Sequence, residues 1–244
     1  MEIVAVCHIH STWSYDGKWP LDALTRRFRS RGFRVVMMTE HDRGFTPSRH
    51  AAFRHACAQV STTETLVVPG IEYSDSSNRV HVLVWGVPFL GENLPTGEML
   101  EAVAKAGGVA VLAHPSRKDA WKCFNPEWAE MLSGIEIWNR KYDGWAPSTT
   151  AAPLIAKVNA IPFVGLDFHT RRQSFPLTMA LDVDADVTEE TVLQALRSRR
   201  CHPRAFGISL DHRLLHHASP MLNLAERGRR TAASMTRQSL AMLR

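Results

Sequence analysis

Two short doublets stand out among the polar residues of this chain: His8-x-His10 near its start and Asp167-x-His169 towards its end. Each adjoins a short apolar run. In an extended strand residues i and i+2 point to the same face, so each doublet can direct two ligands into one site. Other apolar runs close in the same way, on His41-Asp42, Glu72, His114 and Glu136, with His81 alone falling early in its run. Neutral imidazole and carboxylate suit zinc, manganese or iron, and no cysteine joins the set, which argues against a thiolate site. A lone HxH is weak evidence, since core histidines are often satisfied by ordinary hydrogen bonds. Packing alone, however, would scatter histidines along strands, whereas here six histidines gather with acids at strand ends. The remaining histidines read differently: His50 and His55 fall in an Arg-rich helical stretch, and His202, His212, His216 and His217 lie near or within the C-terminal tail without carboxylate partners.

The elements that must position these groups alternate between short β-branched runs and helical patterns, the signature of repeated βα units. Strands are expected at 3–7, 34–39, 66–73, 80–85, 109–113, 135–138 and 161–166. Helices are expected at about 20–31 (Leu21, Leu24 and Phe28 on one face, Gly32 as stop), 47–60, 98–106, 151–158 and 188–197, the last with Thr188 as N-cap. The runs at 66–73 and 80–85, joined by Ser74-Asp75-Ser76-Ser77-Asn78, read as adjacent strands with no helix between them. In a barrel of parallel strands the C-terminal ends meet at one mouth, where active sites form. The expectation is an α/β fold with the polar residues gathered there.

Composition narrows the classes further. With 244 residues, 45% of them hydrophobic, the chain can bury one substantial core. No apolar stretch approaches the roughly 20 residues that span a bilayer, and the N-terminus lacks a secretory pattern, so a cytoplasmic protein without a membrane partner is expected. The scattered Cys7, Cys57, Cys123 and Cys201 read as reduced packing residues. Of the net charge of +5, residues 211–244 carry +4, from six arginines against Asp211 and Glu226. The basic character therefore says little about what the body binds. The division expected is a catalytic domain over 1–210 and a basic helical tail over 211–244. The tail's apolar residues, Met221, Leu222, Leu224, Met235, Leu240 and Met242, would pack on the body or in a homo-oligomer.

The stretch His8-Ile-His10-Ser11-Thr12-Trp13-Ser14-Tyr15-Asp16-Gly17 resembles the opening motif of the PHP (polymerase and histidinol phosphatase) domain family. Thr39-Glu40-His41-Asp42, Gly70-Ile71-Glu72, His81, Ala113-His114-Pro115 and Asp167-Phe168-His169 resemble its later motifs, in order, over about residues 3–205. The resemblance implies a distorted (β/α)7 barrel of the PHP type holding three ions of zinc, manganese or iron. His8, His10, Glu72 and Asp167 would hold the first. Glu72 would bridge to a second, which also takes His81 and His114. Asp16, His41 and His169 would hold the third; some family members have histidine in place of Asp16. Asp42 is expected to orient an imidazole. Glu136 and Asn139, in a recurring family segment, stay outside the metal set, because alternation puts Glu136 and Trp138 on one face and one of them can simply sit inside the barrel.

The implied activity is hydrolysis of a small phosphomonoester or nucleotide by a metal-bridging hydroxide, with Asp167, Glu72 and His10 closest to turnover. Arg43, Arg117, Arg140 and Arg171 each follow a strand-end motif and can neutralise phosphate, although any one of them also reads as a solvated loop residue. The rival within the phosphoesterases is an exonuclease on short oligonucleotides, with Trp13, Trp19, Trp121, Trp138 and Trp145 as stacking platforms. Nucleic acid is the less favoured partner, since the body carries only +1. A non-catalytic PHP binding module should have lost ligands, and all nine are present. An amidohydrolase would place a lysine at a middle strand end, where this chain has none.

Overall fold

The computed structural model describes residues 1–158, 160–184, 186–210 and 212–242. Strand β1 (Glu2–Ile9) leads to helix α1 (Leu21–Arg29), which buries Leu21, Leu24 and Phe28 on one face. Then come β2 (Val35–Met38), β3 (Glu40–His41), α2 (Pro47–Val60), β4 (Leu66–Val68), β5 (Gly70–Ser74) and β6 (His81–Trp85). Helix α3 (Thr96–Lys105), β7 (Val109–Leu112), β8 (Gly134–Asn139), α4 (Ala151–Lys157) and β9 (Ile161–Gly165) follow. The remaining elements are β10 (Leu177–Asp182), α5 (Glu189–Arg197), β11 (Cys201–Ala205), β12 (Ile208–Ser209) and α6 (His212–Met242). Thr188 caps α5 as expected, its hydroxyl accepting from the Thr191 N–H at 3.2 Å.

The strands form two six-stranded mixed sheets, ordered β12-β11-β10-β1-β2-β4 and β3-β5-β6-β7-β8-β9. The chain passes between the sheets four times, and two of these crossings take a single residue: Thr39 between β2 and β3, and Pro69 between β4 and β5. Proline has no N–H to give a ladder, which suits such a break. Beyond β9 the chain bonds to β1: the Leu166 N–H donates to Cys7 O, the Phe168 N–H to His8 O and the His10 N–H to Phe168 O, each at 3.0 Å. The two sheets are thus joined beside His8 and His10.

Six of the seven expected runs form one strand each and the seventh, 66–73, is split at Pro69 into β4 and β5 of different sheets; nor do they all run parallel. β6 is antiparallel to both β5 and β7, with Ser74 opposite His81. Its N-terminal end therefore lies where its neighbours end, which explains why His81 alone comes early in its run. Strands β10–β12 were not expected. β10 reads Leu-Thr-Met-Ala-Leu-Asp, with one β-branched residue, and β11 carries Pro203, so neither shows a strand's usual pattern.

The core fills the sheets with fully buried Phe53, Trp85, Trp138 and Phe163. All four cysteines are free, as expected. Among the described residues no helix is long and apolar enough to cross a membrane. α6 is one helix with Pro220 inside it. Leu222 packs against the core, while Met221, Leu224 and Met235 are exposed, so the body does not cover the whole apolar set expected of the tail. Asp211 and Arg244, and the side chains of His212, Arg213, His216, His217, Arg237, Leu240 and Met242, lie outside the described residues.

Candidate metal centre

The nine expected ligands converge. Glu72, on β5, lies at their centre: its Oε1 is 2.7 Å from His81 Nδ1 and 2.9 Å from His114 Nε2. Its Oε2 is 3.1 Å from His41 Nδ1, 3.3 Å from His10 Nε2 and 3.5 Å from His8 Nε2. Asp167 Oδ1 stands 3.1 Å from His169 Nδ1 and 3.5 Å from His10 Nε2. Asp16 closes the open side, 3.3 Å from His41 Nε2 and 3.0 Å from His169 Nε2. All nine are buried except Asp16, which is half-buried.

Four triads place their ligand atoms within 4.8 Å of one another: Glu72–His81–His114, His8–His10–Glu72, His8–His114–Asp167 and His10–His41–His169. The first matches one implied metal set. The second falls inside another. The last groups His41 and His169 with His10, while Asp16 meets the same two imidazoles at 3.3 and 3.0 Å.

The backbone is bent to make this arrangement. His8 (φ 62°), His114 (φ 26°) and Asp167 (φ 48°) all adopt left-handed conformations, each costing on the order of 1–3 kcal/mol for a non-glycine residue. At His8 the pairing of β1 with β2 slips between Cys7 and Ile9. The bulge turns the imidazole inward while His10 still reaches the same carboxylate.

Whether cations fit here is answered by the polar atoms. Among the described residues ten buried side-chain polar atoms lack a hydrogen-bond partner, and six belong to these nine residues: His8 Nε2, His10 Nε2, Asp16 Oδ1, His41 Nε2, Glu72 Oε2 and His114 Nδ1. Buried polar atoms are rarely left unsatisfied, and a cluster of nitrogen and oxygen lone pairs is what a divalent ion requires. Charge tells the same story. Burial pushes Glu72 up, but the imidazoles around it, His81 and His8 foremost, hold its carboxyl well below the ordinary range. For Asp167, His8, His169 and Lys141 likewise outweigh burial. His41, despite its burial, is pushed up to about 11 by Asp16 and Glu72. The carboxylates demand positive charge.

A second layer holds the ligands. Glu136, fully buried, accepts from His8 Nδ1 at 2.8 Å, from the His114 N–H at 2.7 Å and from Asn139 Nδ2 at 2.8 Å. This fixes the His8 tautomer with Nε2 free to ligate. The β8 register shifts between Glu136 and Trp138, so simple alternation fails there. Trp138 instead donates to Gly144 O and packs on Phe175. Asp42 does not orient an imidazole: its Oδ2 accepts from the Ser74 N–H at 3.3 Å, and burial pushes its carboxyl up to about 6. Sequence reasoning passed over Glu40, which is buried and accepts from the Ser11 N–H (3.0 Å), the Ser11 hydroxyl (2.5 Å) and the Ser14 hydroxyl (2.5 Å). Ser14 Oγ in turn receives the His41 N–H at 2.9 Å. The signal was present in the small hydroxyls at 11 and 14 beside the histidine doublet.

A cavity of about 420 Å³ opens over the cluster. Arg43 and Arg117 line it. Arg140 lies over Phe175 and Arg171 over Trp19, and neither lines the cavity. Lys141, not singled out from the sequence, reaches in instead, its Nζ 3.1 Å from Asp167 Oδ1. None of the five tryptophans borders the cavity. Trp13 packs on Phe45 and Phe53, and Trp138 is buried. The aromatic walls are Tyr15, stacked on His41, and Tyr142, against His114.

No protein-family model and no curated protein matches the chain. Solved structures do. One is a two-domain protein from Bacteroides vulgatus containing a predicted PHP-like metal-dependent phosphoesterase, with TM-score 0.67 and 16% identity, over 89% of this chain and 68% of that one. A second is PsfC from Pseudomonas syringae, with TM-score 0.63 and 14% identity, over 95% of this chain and 99% of that one. A third is the lesion-specific endonuclease EndoQ from Pyrococcus furiosus, with TM-score 0.57 and 16% identity, over 81% of this chain and 56% of that one. At these identities the likeness is one of fold.

Proposed function

We propose that this chain is a metal-dependent phosphoesterase that hydrolyses a small phosphomonoester or nucleotide and releases inorganic phosphate. The observation that carries this reading is the convergence of nine imidazoles and carboxylates, six of their buried polar atoms unpartnered, beneath a cavity bordered by cations. His8, His10, Glu72 and Asp167, then His81 and His114, then Asp16, His41 and His169, would hold three ions, with zinc, manganese and iron all compatible with these donors. The chemistry such ions supply is neutralisation of phosphate charge and acidification of water from a pKa of about 15.7 towards 7.

The chain's own residues do the rest. Glu72 and Asp167 stay ionised and supply the negative charge of the centre. Glu136 keeps His8 in its ligating tautomer. Lys141, Arg43 and Arg117 present cationic groups to the phosphate from the cavity wall. The buried bed of the site excludes bulk water, which strengthens each of these contacts. The same reading takes the fold as a distorted (β/α)7 barrel, with the bonds between β1 and the segment after β9 as its closure.

A nuclease is the second reading, favoured by the likeness to EndoQ. One experiment separates the two: phosphate release from phosphomonoesters and mononucleotides against mononucleotide release from short oligonucleotides, with manganese, at 50 and 200 mM salt. We expect phosphate release with mild salt dependence. A protein making 6–10 phosphate contacts would lose roughly a thousandfold or more in affinity over that interval. Strong, salt-sensitive oligonucleotide processing with negligible phosphate release would establish the nuclease.

A further inference from the structure

Beside the metal pocket lies a second cavity of about 640 Å³, between the loops at 116–118 and 142–149 and helix α6. The two cavities share Arg117 and Tyr142, so these side chains form a common wall. The far wall is held firmly. Glu226 of α6, 5% exposed, accepts from the Trp145 N–H at 3.0 Å, and Arg230 donates to Tyr142 O at 2.8 Å. The approach is close enough that a Cβ on Gly144 (φ +78°) would lie 2.2 Å from Glu226 Oε1. The helix is therefore part of the cavity.

Its charge is positive. Glu226 is neutralised by Arg229 and Arg230. Asp143, the other acid of the lining, already accepts from Ser116 Oγ at 2.6 Å and the Asn139 N–H at 2.8 Å. Against it stand Arg117, Lys118 and Arg227. Arg117 and Lys118 donate to Asn78 and Tyr142 oxygens, which are neutral acceptors and leave their charge uncancelled. No carboxylate pairs with Arg227 among the described residues, and its side chain is exposed. The hydroxyl residues Ser148 and Thr149 complete a lining suited to an oxyanion.

We propose that this second cavity is an anion subsite, taking a phosphate that the substrate carries in addition to the one hydrolysed. The inference rests on the phosphoesterase reading and narrows it: the substrate is a small molecule with two phosphates, one placed over the nine-residue cluster and the other across the Arg117–Tyr142 wall. Arg227 is the specificity-determining residue, since it reaches the second cavity from α6 and does not line the first.

The test uses alkane-α,ω-diols of graded length, each as the monophosphate and the bisphosphate, with the full-length protein and its Arg227→Gln variant. At the best length the wild-type KM for the bisphosphate should lie at least about tenfold below that for the monophosphate, the factor expected of one charge-assisted contact. In R227Q that advantage should shrink to about threefold or less. Equal KM values at every length, or an advantage that R227Q leaves intact, overturns the subsite. A 5′-phosphorylated dinucleotide locates the source of the second phosphate: a larger advantage than the diols show assigns a nucleotide, and an equal one a small bisphosphate, both supporting the subsite. Phosphate release from no compound sinks the phosphoesterase reading instead. Calorimetric binding of the bisphosphates to both proteins then decides the subsite alone: binding weakened in R227Q supports it, and identical binding overturns it.

Discussion

Replacing Glu136 with glutamine separates an orienting carboxylate from a merely buried one. Glu136 Oε1 faces His8 Nδ1, and Oε2 faces two donors, the His114 N–H and Asn139 Nδ2. Glutamine has one acceptor oxygen and one amide group, so it cannot satisfy all three. If its oxygen keeps the pair at Oε2, its amide confronts His8 Nδ1 and drives the imidazole proton to Nε2, the atom aimed at Glu72 and Asp167. If it flips, the His114 N–H meets an amide instead. Either way about one hydrogen bond to a charged group is lost, worth ~1.5–3 kcal/mol. At ~1.4 kcal/mol per factor of ten this becomes a ten- to hundredfold loss of metal affinity, the usual cost of removing a partner behind a ligand. Competition against a chromophoric chelator measures it, with near-ultraviolet dichroism to check the fold. An E136Q protein that is folded and binds metal within about twofold of wild type would refute the orienting role.

Lys141→Met removes the cation beside Asp167 from the cavity and should raise KM for phosphate esters about tenfold while changing kcat less; steady-state kinetics with an unchanged KM would remove Lys141 from the site. Gly165→Ala puts a Cβ 1.9 Å from Glu136 Oε1 and 2.8 Å from His8 Cβ, an overpacking cost of ~1–3 kcal/mol, read as a fall in Tm of roughly 2–4 °C per kcal/mol. At Glu226 burial pushes the carboxyl up, but hydrogen bonds from Arg229 and Arg230 hold it down at about 2, below its ordinary value of 4.5. A depressed carboxyl pKa stabilises the fold above about pH 4.5, and the contribution fades as pH falls towards 2. Glu226→Gln should therefore cost about 1 kcal/mol at pH 7, discounted for the exposure of Arg230, and denaturant melts should show the gap to wild type narrowing as pH falls from about 4.5 towards 2.

The site was legible because its chemistry is written in residue types that packing does not favour at strand ends. His8, His41, Glu72, His114 and Asp167 could each be placed by the apolar run before it. What could not be read were features that depend on pairing between distant strands. The reversed direction of β6, which brings His81 to its place, shows only in its register with β5. Glu136 looked like one of two residues on a common face until the β8 bulge separated it from Trp138. Asp42 sat beside a histidine in sequence yet bonds to backbone N–H groups, because a neighbour in sequence projects to the opposite face of a strand. Lys141 was hidden by Arg140 before it: which of two adjacent cations enters a cavity depends on the turn after β8, and sequence spacing does not encode that turn.

Elemental analysis of the purified chain, as isolated and after reconstitution with zinc, manganese and iron salts, tests the account at its root. The nine converging ligands predict close to three ions per chain, falling by at least one in Glu72→Ala. A folded protein that holds no ion under any of these conditions would contradict it.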